Sequence, residues 1–148
     1  MTKEQRALVR ESWLRCQPTL RQAGAQFYER LFALDRAVRR LFAGTDMAAQ
    51  QRKLVGMLTE IVAQLDRPEA LVPNVSALGR QHVHYGVRDA DYETVGAALL
   101  WTIEQSLGDG FTPAVRQAWT EAYLLVATLM RRGAGRTSSA GATTNALT

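Results

Sequence analysis

The chain of 148 residues is long enough for one domain with its own core and too short for two ordinary ones. Apolar residues at 47% and charged residues at 22% fit a soluble globular protein and exclude a disordered or fibrous class, and no apolar run is long enough for a bilayer span. The formal net charge of +4 comes from scattered arginines, without the base-stacking aromatics or zinc spacings of a nucleic-acid module, so neither nucleic acid nor membrane is an expected partner.

In chain order the pattern is helical throughout. Proline-poor stretches rich in Ala, Leu, Arg, Gln and Glu favour helix, and no turn dipeptide separates alternating apolar runs, so hairpins are not expected. The first helix starts near Thr2, whose hydroxyl caps it while Gln5 reaches back. Leu8, Val9, Trp13 and Leu14 recur at helical spacing and should face the core. Cys16 reads as a small residue at this helix's end. As the single cysteine it excludes an internal disulfide and fits a reducing cytoplasm. Pro18 marks a break. A second helix, about Thr19 to Leu34, carries Gly24, Phe27, Tyr28, Leu31 and Phe32 on one face. Gly24, one turn before Tyr28, invites a neighbouring backbone to pass close. A short third helix, roughly Arg36 to Leu41, leads into Phe42 and a loop.

Asp46 or Thr45 caps the next helix, which reaches about Leu65 with Leu54, Val55, Leu58, Ile61, Val62 and Leu65 on its apolar face. Asp66-Arg67-Pro68 ends it. A looser segment with Pro73 and Asn74 follows and becomes helical toward His82. Gly86 and the polar stretch from Arg88 to Asp91 make a corner. Two long helices close the domain, about Asp91 to Leu107 and Thr112 to Arg132. Gly108 to Gly110 separate them, and Thr112-Pro113 supplies a cap followed by proline at the first helical position. From Gly133 onward Gly, Ala, Ser and Thr dominate and no aromatic residue occurs. Residues 1–132 are therefore expected to form the domain and 133–148 a disordered tail. The charged N-terminus reads neither as a secretory leader nor as a membrane anchor.

The chemistry rests on histidine. There are only two, His82 and His84. Residues two apart on a helix point in different directions, so both cannot face one ligand. A lone helical histidine is usually a plain surface or core residue, and the surrounding pattern sets His82 apart. The run Leu78-Gly79-Arg80-Gln81-His82-Val83-His84-Tyr85-Gly86-Val87, then Tyr92, Val95 and Gly96, resembles the proximal segment of globins. It is most similar to neuroglobin, its bacterial single-domain relatives and the globin domain of flavohaemoglobins. The resemblance extends to Leu8-Val9-Arg10-Glu11-Ser12-Trp13, to the run from Phe27 to Asp35 with Leu41-Phe42, to Gln50-Gln51-Arg52-Lys53-Leu54, and to the run from Leu107 to Ala114 with Ala118-Trp119. It covers the chain apart from its tail. No single motif is highly specific; their order and spacing together are.

The resemblance implies an all-α globin fold, a three-over-three helical sandwich around haem b (iron protoporphyrin IX). It implies that His82 is the proximal ligand to the iron, with its other ring nitrogen donating to a backbone carbonyl near Leu78. His84 fits a rim-facing position near a propionate. Phe42 matches the aromatic residue packed on the haem face, and Lys53 the residue that reaches a propionate. Val87, Tyr92, Val95 and Leu99 match the proximal side and pocket floor. A solvated lysine and plain core residues are the alternative readings of these. Tyr28 and Gln50 match the two distal positions, with Leu54 on the face of Gln50. Neuroglobin carries histidine where Gln50 stands. Glutamine is a poor iron ligand, so a five-coordinate ferrous iron is expected. Tyr28 O–H and Gln50 N–H are both donors toward dioxygen, each contributing roughly 1.5–3 kcal/mol, about ten- to a hundredfold in affinity.

The implied function is reversible binding or transport of dioxygen, with nitric oxide and carbon monoxide as further ligands. A nitric oxide dioxygenase served by an external reductase is the alternative, as is a haem-based gas or redox sensor. Flavohaemoglobins pair the tyrosine matched by Tyr92 with a glutamate in the last helix, and that position falls at Ala134 here. Without this carboxylate, reversible binding is favoured over redox catalysis. A cytoplasmic monomer or weak dimer is expected.

Overall fold

The computed structural model describes the backbone of residues 1–147 and the side chains of residues 1–135 other than His84. Six α-helices are joined by short 3-10 turns and loops, and no strand occurs among the described residues. Helix α1 (Lys3–Cys16) opens with the capping box expected at Thr2: Gln5 N–H donates to Thr2 Oγ1 at 3.1 Å and Thr2 N–H to Gln5 Oε1 at 2.8 Å. Pro18 lies in a 3-10 turn (Gln17–Thr19) before α2 (Leu20–Leu34). The third helical segment (Arg36–Phe42) is 3-10 rather than α, with Asp35 accepting from Ala37 N–H at 2.9 Å. Helix α3 (Met47–Ala63) is capped by Asp46.

The segment expected to be loose between Pro68 and His82 is instead one continuous helix, α4 (Pro68–His84). Pro68 occupies the first turn, where its missing N–H costs nothing. Pro73 removes one backbone bond close to the start, and the stripe Leu71, Val75 and Leu78 holds the helix against the core. Gly86 takes φ +88°, a region that suits glycine, and turns the chain toward α5 (Asp89–Leu107). Thr112 accepts from Val115 N–H at 3.2 Å and starts α6 (Pro113–Leu147). Gly133, assigned by composition to the tail, is buried on α4: a methyl group there would lie 2.3 Å from the Ser76 carbonyl oxygen. Packing thus continues past Arg132. The remainder of the expected tail, residues 136–148, lies outside the described side chains, as does the rim position expected for His84.

Two layers of three helices, α1, α3 and α4 against α2, α5 and α6, enclose one core, and the most extensive pairing is α4 on α6. A buried polar link ties the first helix to the last: Trp119 Nε1 donates to Ser12 Oγ at 2.8 Å, and Ser12 donates to the Leu8 carbonyl at 2.7 Å. Trp13 packs on Trp119 with ring centroids 5.9 Å apart.

Candidate functional site

The amphipathic faces of α2, α3, α4, α5 and α6 surround a cavity of about 530 Å³. Its walls are mainly Leu, Ile, Val, Met and Phe, with a few polar groups placed among them. That pattern suits a large, mostly apolar ligand. Thr45, Lys53, Gln81 and Tyr85 line it and are exposed, so the mouth lies between α3 and the end of α4.

Of the residues that the sequence marked for the site, those whose side chains are described line this one cavity: Tyr28, Phe42, Gln50, Lys53, Leu54, His82, Val87, Tyr92 and Val95, together with Leu99. Helical periodicity brings them there. His82 follows Leu71, Val75 and Leu78 at spacings of four, three and four, so it continues the buried stripe of α4. Its Nδ1 lies 2.7 Å from the Leu78 carbonyl oxygen, one turn back. A carbonyl can only accept, so Nδ1 carries the hydrogen and the Nε2 lone pair is left for a ligand acceptor such as a metal.

Tyr28 reaches the cavity from α2 and Gln50 from α3. Gln50 Nε2 donates to Tyr28 Oη at 3.1 Å. Having accepted that bond, the hydroxyl keeps its own proton to give elsewhere. Burial pushes the Tyr28 phenol pKa up, against a smaller opposing effect of the Gln50 hydrogen bond, so the group stays a neutral donor. Gly24 lies next to the pairing. A methyl group there would lie 3.1 Å from Gln51 Cβ, so α2 and α3 meet closely beside the pair. Phe42 stacks edge-on against Tyr28 at 5.3 Å and lies 5.5 Å from Phe32, which fixes the tyrosine ring.

The floor differs from a plain apolar wall. Tyr123 Oη donates to the Tyr92 carbonyl at 2.5 Å, and its ring fills the space that Gly96 leaves open, where a Cβ would lie 2.7 Å from it. Burial drives the Tyr123 pKa upward, with the neighbouring Tyr92 adding to it. The Arg131 guanidinium sits 4.9 Å from the centroid of the Tyr92 ring, and Ala134 offers no carboxylate near it. Asp91 is a buried carboxylate in the cavity wall. Sequence reasoning placed Asp91 in a polar corner at the start of a helix, quoted Tyr85 only within the globin-like run, and passed over Tyr123. Asp91 could have been found from the Arg88-x-x-Asp91 spacing at a helix start, and Tyr123 from its place one turn after Trp119.

These residues fit a haem. The cavity is large and mostly apolar, one histidine offers a free ring nitrogen, and Lys53 stands at the mouth where anionic propionates could be met. Comparison with known proteins agrees. The family model described as Globin matches residues 25–130. Neuroglobin-1 of Oncorhynchus mykiss is 30% identical over 146 residues, covering 90% of this chain and 92% of the relative. Neuroglobin of Danio rerio is 28% identical over the same shares. A flavohemoprotein of Rhodopirellula baltica is 34% identical over 113 residues, and the match spans 74% of this chain but only 28% of that protein's length. Among solved structures, a crystal structure of a hexacoordinated heme protein from an anhydrobiotic tardigrade at pH 4 superposes with a TM-score of 0.82 at 18% identity, covering 90% of this chain and 95% of the other.

Proposed function

The chain belongs to the globin family and is a haem-binding globin, and from that premise we propose that it binds dioxygen and other diatomic ligands reversibly, using haem b held by His82. Haem supplies the iron that coordinates the diatomic ligand. The protein supplies the rest. His82 offers Nε2 as the one protein ligand, while its Nδ1–H stays on the Leu78 carbonyl. That acceptor is a neutral carbonyl, so the imidazole gains no anionic character from a carboxylate partner. Tyr28 holds its proton at Oη, ready for a ligand oxygen, and Gln50 keeps that hydroxyl oriented. Phe42, Leu54, Val87, Val95 and Tyr92 exclude water, and Lys53, exposed at the mouth, would meet a propionate there.

The observation that carries this reading is the Gln50–Tyr28 hydrogen bond. It commits the glutamine amide to the tyrosine and leaves a neutral donor in the cavity that receives His82. Optical spectra of the reduced protein test it. A five-coordinate ferrous form that takes up oxygen and releases it on degassing is the expected result. Sharp low-spin bands without added ligand would overturn it and place this chain with hexacoordinate proteins. The similarity to a flavohemoprotein supports a second reading, nitric oxide dioxygenation served by an external reductase. Sustained nitrate formation with a generic reductase, well above the reductase-free rate, would favour that reading. His82 donating to a neutral backbone carbonyl rather than to a carboxylate weighs against it.

A further inference from the structure

We propose that Arg88 is a positioning residue, a clasp that sets the spacing between the wall carrying Tyr28 and the corner carrying His82. The idea rests on the haem reading above and adds a role for three charged residues outside it. Arg88 caps α5, six residues after His82. Inward, its backbone N–H donates to Asp91 Oδ2 at 2.8 Å, Nη2 donates to Asp91 Oδ1 at 2.9 Å, and Nε lies 3.4 Å from Oδ2. The Asp91 side chain is 3% exposed and lines the cavity. Outward, the same Nη2 lies 3.7 Å from Asp35 Oδ2. Asp35 closes α2 one residue after Leu34 and gives its other oxygen to Ala37 N–H at 2.9 Å.

One guanidinium therefore bridges the end of the helix bearing Tyr28 and the start of the helix bearing Tyr92. The adjoining backbone carries the link to the ligand. Val87, just before Arg88, donates its N–H to the His82 carbonyl at 2.9 Å and lines the cavity itself. Asp35, Arg88, Val87 and His82 form one contiguous chain of contacts running from the donor side to the ligand side. The two arms differ in weight. Asp91 is buried, and removing its partner would leave a carboxylate uncompensated in the cavity wall. The Asp35 side chain is 30% exposed and that of Arg88 63%, so the outer arm is screened and serves alignment more than stability. Arginine suits the task because Nε and Nη2 grip Asp91 together while Nη2 also faces Asp35; a lysine ammonium would lose the two-point hold on Asp91.

The test uses the full chain loaded with haem. Arg88→Met, Arg88→Lys, Asp35→Asn and the Asp35→Asn/Arg88→Met double variant are compared with the unsubstituted protein. Haem transfer to an excess of an apo-globin acceptor and the ferrous iron–histidine resonance Raman band are the readouts. Thermal melting of each variant provides the stability reference, and Thr2→Ala serves as a variant destabilised far from the cavity. Arg88→Met should speed haem loss roughly tenfold, the scale of one charge-assisted hydrogen bond, and shift or broaden the iron–histidine band. Asp35→Asn should speed it only about two- to threefold, in keeping with an exposed pair. The double variant should match Arg88→Met alone, and Arg88→Lys should restore part of the band. An unmoved band, fully additive substitutions, or haem loss that merely tracks melting temperature as in Thr2→Ala would each overturn the clasp. Should Arg88→Met fail to fold, Arg88→Lys and Asp35→Asn decide the matter through the same band. Failure of the unsubstituted protein to take up haem would instead remove the underlying reading, and the clasp with it.

Discussion

Tyr28 shows how a single hydroxyl acquires a direction. It could donate or accept, and Gln50 settles the choice by donating to it at 3.1 Å. Tyr28→Phe should therefore raise the oxygen dissociation rate by roughly ten- to a hundredfold, as loss of one strong hydrogen bond to a charge-bearing acceptor predicts. Gln50→Leu should have a smaller effect in the same direction, since the tyrosine donor remains but turns freely. Stopped-flow oxygen release checks both, and unchanged rates would remove the pair from the mechanism. His82→Ala should abolish stable haem binding while His84→Ala retains it, which titration of apoprotein with haem will show. Asp91 carries a pH signature. Its burial works against ionisation, but the Arg88 side chain and backbone N–H outweigh that and hold the carboxyl below its ordinary range. A lowered folded pKa means stability that is complete above the unfolded value, about 3.9, and lost as pH falls through the folded one. Acid unfolding below about pH 4 should accordingly become shallower in Asp91→Asn.

At the scale of elements, two glycines place helices rather than end them. Gly24 lets α3 approach α2, and Gly79 lets α4 lie directly on α6, where a methyl group would fall 2.1 Å from the Met130 carbonyl oxygen. The obstacle is backbone, which no rotamer change relieves. Gly79→Ala should force α4 outward and cost about 1–3 kcal/mol, the range of overpacked sites. His82 lies one turn further along the same helix, so haem affinity should fall with it. Urea unfolding and haem titration of the same variant check both effects. Pro73 teaches the complementary lesson. A proline near a helix start removes one bond, and the apolar stripe of α4 outweighs that loss. From Pro73 and Asn74 the sequence reads as a looser segment there, because the strength of the stripe formed by Leu71, Val75, Leu78 and His82 depends on how closely α6 can approach.

For the whole molecule, stability and function share one cavity. A ligand that binds only the folded chain stabilises it by mass action, by about 4 kcal/mol when present at a thousand times its dissociation constant. Melting temperature should climb with added haem, and a flat response would contradict the assignment of the cavity. The sequence alone determined the helical class and the helix caps at Thr2 and Thr112, and left the cap of the third long helix between Thr45 and Asp46. Those features are local: they follow from the 3.6-residue period and from side chains reaching backbone within a single turn. His82 and the other site residues were legible for a different reason, a pattern of neighbours resembling globins, since helical spacing alone leaves a lone histidine an ordinary residue. Only the tertiary structure decided which partners meet. It decided that Asp91 is buried against Arg88, that Arg131 covers Tyr92, that Tyr123 occupies the space beside Gly96, and that Gly133 packs on Ser76. Each of these joins side chains or backbones from different stretches of the chain. Whether they touch depends on how closely two helices approach, a distance set by the packing of the whole molecule and written in no single segment.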